Sequence, residues 1–186
     1  GPVRGPVIKE PKTDEEYEAV KDQLQGAWIL MAPPPAVGQR GIRGRLSDYF
    51  QRRIDARKKI AEGTPVGELP IAQRFVAAGV AGYISTTRDE RVWTGGAPEW
   101  SKRELADIPD DVHLVVRLSD YDYINSRLTD KEPIELEIDA KHILTAGPIP
   151  VFNTIAEIPG TEFPDEYVVI SAHLDSWNGP GSEGCT

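Results

Sequence analysis

The chain has 186 residues, with 21 Lys and Arg against 30 Asp and Glu, for a formal net charge of −9. That balance argues against a nucleic-acid binder, which needs a basic face to displace counterions from phosphate. Hydrophobic residues at 39%, charged residues at 27%, 17 Gly and 16 Pro fit a globular chain rich in turns. No apolar run reaches the length that a membrane span requires.

The lone cysteine, Cys185, rules out an internal disulfide and says little about the compartment. Residues 1–9 carry no signal-peptide core, so any secretion signal is expected upstream. Residues 2–9 read as a short edge strand. Thr13 then caps a helix to about Leu24, with Glu16 at the capping-box position. Gly26 stops that helix, and the apolar run at residues 27–31 has the length of a buried strand. Pro33-Pro34-Pro35 ends it, because proline cannot donate to a ladder. Arg43, Arg45, Arg52, Arg53, Arg57, Lys58 and Lys59 alternate with apolar residues, the pattern of an amphipathic helix with a solvated basic face rather than a phosphate site. Ser47 is placed as its cap and Gly63 as its end.

Residues 70–79 form a short helix opened by Pro70 and closed by Gly79, and residues 80–87 follow at once as a strand. This αβ step belongs to a layered domain in which helices cover a sheet. Residues 88–111 have no sustained period and read as a long surface excursion, with Trp93 and Trp100 as packing anchors or as a lip over a substrate entrance. Beyond it lie a strand at 112–116, a helix at 119–128 and a strictly alternating strand at 134–140 with one wet face. Ala146-Gly147-Pro148 marks a boundary, and strands are expected at 151–158 and 167–172. The fold class is α/β, divided into a lead-in strand and helix (1–25), a domain (26–147) and the start of a second domain (148–186).

The chemistry concentrates where the last predicted strand runs into His173-Leu174-Asp175-Ser176-Trp177-Asn178-Gly179. Side chains at i and i+2 of an extended chain point the same way, so His173 and Asp175 can share one site at the strand's C-terminal edge. Neutral imidazole is a good zinc ligand, and a neighbouring carboxylate takes its other ring N–H. The bare chemistry equally fits a strand-end His capped by an Asp without metal. His113 and His142 read as structural. Ser176 lacks the Gly-x-Ser-x-Gly elbow of a nucleophile. Gly38, Gly41 and Gly44 do not link a strand to a helix as a dinucleotide site requires.

The strand Asn153-Thr154-Ile155-Ala156-Glu157-Ile158-Pro159-Gly160, followed by Val168-Val169-Ile170 and His173-Leu174-Asp175-Ser176-Trp177, resembles the di-zinc exopeptidases related to carboxypeptidase Q, glutamate carboxypeptidase II and secreted bacterial aminopeptidases. The resemblance implies His173 as a zinc ligand, Asp175 as a catalytic supporting residue, two zinc ions in the complete enzyme, and a peptide or dipeptide substrate. It further implies a secreted or periplasmic location and allows oligomerisation through the catalytic domain. Residues 26–147 then correspond to a protease-associated domain, and residues 148–186 to the first strands of a zinc-peptidase mixed-sheet α/β domain. The family's bridging Asp, Glu-Glu pair, further Asp and last His are not found after His173 and are expected beyond Thr186. The chain alone is therefore expected to bind zinc weakly or not at all and to be inactive. A protease-associated module that binds peptides or a partner without catalysis is the alternative.

Overall fold

The computed structural model describes residues 1–33, 42–87, 90, 92, 106, 108, 112–141, 143, 145 and 147–172, with backbone only over 42–50. The chain divides into two compact units, Gly1–His142 and Ile143–Thr186. The first is a mixed five-stranded sheet with helices on both faces, the α/β class expected.

Its elements in chain order are β1 (Val3–Lys9), α1 (Asp14–Val20), β2 (Trp28–Leu30), α2 (Ile42–Ala61), α3 (Ile71–Ala78), β3 (Gly82–Thr86), β4 (Val112–Val116), α4 (Leu118–Thr129) and β5 (Glu135–Ile138). Strand order is β4-β3-β2-β1-β5. The first four strands run parallel, and β5 lies antiparallel to β1, with Gly5 opposite Leu136. The expected edge strand at residues 2–9 is therefore an interior strand. Position in a sheet is decided by pairing, and β1 finds one partner in β2 and another more than a hundred residues away.

Strand alternation sorts the core into two layers. On one face Ile29 and Tyr83 meet Tyr17 of α1, Leu24 and Phe75 of α3. On the other, Val7, Trp28, Leu30 and Ile84 meet Tyr121 and Ile124 of α4. All three residues of β2 are buried, as a parallel strand covered on both faces should be. Tyr121 of α4 also donates its hydroxyl to Met31 O at the end of β2, 2.8 Å away. On the first face Arg74 ties α3 to α1. It donates to Leu69 O at 2.7 Å, pairs with Asp14 at 2.7 Å and lies 5.2 Å from the Tyr17 ring centroid.

Helix ends follow local chemistry. Thr13 caps α1 by accepting from Glu16 N at 3.2 Å, while the Glu16 carboxylate accepts from Lys12 N rather than from the cap residue itself, a one-residue variant of the capping box. Gly79 closes α3 at φ 68°, a left-handed turn that costs glycine little. α2 begins at Ile42, five positions before the expected cap at Ser47, which lies inside the helix. Among its first residues Arg43, Arg45 and Leu46 favour the helix while Gly44 opposes it, so propensity alone does not account for the earlier start.

The expected strands at 151–158 and 167–172 do not form. The described residues of the second unit contain no helix or strand, and Val151, Ile158, Val168 and Ile170 are each more than nine-tenths exposed. A strand is held by ladder partners and by a surface to cover its apolar face. An apolar run supplies the demand for both and provides neither.

Candidate functional site

His173 and Asp175 lie outside the described residues, as do Ser176, Cys185, His142, Trp93, Trp100, residues 34–41 and most of the excursion at 88–111. The described run into the motif, residues 167–172, is exposed and irregular, so the strand expected to carry His173 is not present there.

Open α/β sheets place ligands outside the C-terminal ends of their parallel strands. At that edge Glu10, just after β1, accepts from Ala32 N at 3.1 Å and pairs with Lys12. Thr86 and Thr87 are buried at the end of β3, and Thr86 Oγ1 donates to Thr87 O at 2.9 Å. Glu90 accepts from the backbone N and hydroxyl of Ser119, at 2.9 and 2.6 Å, and so fastens the start of the excursion to the first turn of α4. Arg117 forms a two-point contact with Asp120, at 2.8 and 3.1 Å. These groups hold strand ends and loops together, and they satisfy one another.

A second polar group sits on the face of the sheet that carries α1 and α3. His113 of β4 lies opposite Tyr83 of β3, and its Nε2 is 2.8 Å from Ser85 Oγ. The Ser85 hydroxyl also has Leu114 O as an acceptor at 3.2 Å, and which partner of the His113–Ser85 pair donates follows the imidazole tautomer. Arg53 of α2 is buried, with its guanidinium 5.0 Å from the Tyr83 ring centroid. Burial, and then the Arg53 charge, lower the His113 pKa to about 4. The contacts described for His113 are those of a packed strand residue, in keeping with its structural reading.

Among the described residues no group of three or more His, Cys, Asp or Glu side chains is placed to hold a metal ion. A cleft of about 470 Å³ opens between α4 and β5, lined by Tyr123, Ile124, Arg127, Ile134, Glu135 and Leu136 among others. Nothing in the sequence points to it directly, because its residues read separately as a helix surface and a strand's wet side. The one available signal is Tyr123, a large aromatic on a helix position that faces solvent at 61%. No described helix is long and apolar enough to cross a membrane.

A 49-residue stretch is 47% identical to carboxypeptidase Q of Rattus norvegicus, covering 26% of this chain and 10% of that protein. The Mus musculus carboxypeptidase Q is 49% identical over 45 residues, 24% of this chain and 9% of the relative. The Homo sapiens carboxypeptidase Q is 44% identical over 45 residues, with the same coverage. The matched stretch thus spans about a tenth of the length of these relatives. No family model matches the chain, and no solved structure matches it. The short local similarity indicates a relationship to peptidases.

Proposed function

We propose that this chain is part of a zinc-dependent exopeptidase that hydrolyses terminal peptide bonds, with His173 as a metal ligand and Asp175 as its supporting carboxylate. The observation that carries the reading is the local identity to carboxypeptidase Q, in a chain that also holds a His-x-Asp step after an apolar run. In this reading residues 26–147 are a protease-associated domain, and the whole protein acts outside the cytoplasm.

Zinc sites take three or four protein ligands. The described residues supply no such set, and one His with one Asp falls short of it. The described residues therefore do not make up a zinc site by themselves, and no catalytic step is assigned to them. A zinc titration of the 186-residue chain by calorimetry is expected to show no binding tighter than micromolar. A stoichiometric nanomolar site that vanishes in His173→Ala would show that the chain does complete a site. In the whole enzyme, His173→Ala should lose zinc and activity together. Asp175→Asn should keep zinc while turnover falls roughly 10–100-fold, the usual scale for a group that orients a ligand. Full zinc content in the His173→Ala enzyme would overturn the assignment.

A further inference from the structure

β5 ends the sheet on one side. Among the described residues it pairs only with β1, so its second edge presents backbone N–H and C=O groups outward. Alternation along the strand divides its side chains. Leu136 and Ile138 pack toward α4 with Tyr121 and Ile124, whereas Glu135 and Glu137 are exposed on the opposite face. The α4–β5 cleft has Ile124, Ile134 and Leu136 in its apolar lining, and Glu135 also borders it. Tyr123 and Arg127 form its rim, the guanidinium 5.5 Å from the ring centroid and tied to Glu132 at 2.7 Å. Charge is uneven here: residues 118–141 hold seven Asp and Glu against three Lys and Arg.

We infer that β5 and the adjoining cleft are a docking edge for an extended polypeptide segment whose side chains alternate between basic and apolar. Its backbone adds to β5 as a further strand, which supplies affinity through main-chain hydrogen bonds. Its basic side chains fall opposite Glu135 and Glu137, the cross-strand positions where opposite charges stabilise a pair. Its apolar side chains fall opposite Leu136 and enter the cleft. The Arg4–Glu135 ion pair on the outer face is exposed on both partners, so Glu135 can exchange it for an incoming cation at little cost. The same charges disfavour a second copy of β5 as the occupant, because Glu would face Glu across the new ladder. This surface lies wholly within the first unit and does not depend on the peptidase reading.

The test uses the 186-residue chain and a fluorescein-labelled peptide of about eight residues alternating Lys and Val, followed by anisotropy. Saturable binding is expected. N-methylation of alternate peptide nitrogens, which removes donors along one edge of the ligand, should weaken it by roughly tenfold or more. A peptide with Glu in place of Lys should not bind, and Glu135→Lys with Glu137→Lys should abolish binding of the Lys peptide. Because both glutamates are exposed, that variant is expected to keep its circular dichroism spectrum, and the N-methylated ligand tests the idea without altering the protein. Equal binding of the N-methylated peptide would reduce the effect to charge attraction and overturn the proposal. Absence of saturable binding to the Lys–Val peptide would overturn it too.

Discussion

At the scale of single residues, His113 couples the sheet to proton concentration. Burial lowers its pKa from 6.5 to about 4, and the Arg53 charge pushes the same way. As pH falls, the unfolded chain therefore takes up the proton before the folded one does. The contribution of neutral His113 to stability is fully present above about pH 6.5 and is lost progressively between there and about pH 4, by ~3 kcal/mol at most. Carboxylates titrate toward the lower end of that window, so the informative quantity is the difference between the wild type and His113→Gln. Urea unfolding at pH 7.5 and pH 5 should show the wild type losing roughly 2 kcal/mol more than the variant between the two conditions. Parallel losses in the two proteins would show that His113 titrates normally.

At the scale of elements, the sheet depends on a close approach that only glycine permits. A Cβ added to Gly82 would overlap Val112 O of β4 and sit 2.7 Å from Trp28 Cζ3 of β2. Backbone on one side and a fully buried indole on the other leave nothing free to yield. Gly82→Ala should therefore cost roughly 1–3 kcal/mol or more through overpacking. Gly67→Ala, where an added Cβ meets nothing, should stay within about 0.5 kcal/mol, as surface changes away from special features do. Equal denaturation midpoints for the two variants would contradict the packing argument. Several elements are legible because their signals are local: Pro70 and Gly79 bracket α3, and the alternation of Leu136 and Ile138 with two glutamates declares β5. Others depend on distant partners. β1 reads as an edge strand until β5 pairs with it. Gly82 reads as one more residue of an apolar strand, because its need for close packing is set by Val112 on a strand far along the chain. The His173–Asp175 step is readable as chemistry, but its geometry lies outside the described residues. The β5 cleft is not readable, because helix and strand contribute half of it each.

At the scale of the whole molecule, the two units differ in how their aromatic residues are held. In the first, Tyr17, Trp28, Phe75 and Tyr83 are buried in the two faces of the sheet. In the second, Phe152 and Tyr167 are 88% and 73% exposed, on backbone that belongs to no helix or strand. Proteases need an extended, accessible stretch of chain, and local opening costs least where few buried contacts or backbone hydrogen bonds must break. Brief chymotrypsin treatment should accordingly cleave after Phe152 and Tyr167 well before it cleaves at any of the four buried aromatics. Tyr123 is exposed too, but its backbone lies within α4, so it should resist longer than Phe152. Trypsin offers an independent check, because the sequence holds no Lys or Arg after Lys141. Cleavage there, at an exposed residue, would release the second unit in one step and leave the sheet intact. Mass spectrometry of the early products distinguishes the outcomes. First cuts after Phe75 or Tyr83, with Phe152 and Tyr167 protected, would mean that the second unit is the better-packed one and that its exposed valines and isoleucines are covered in solution.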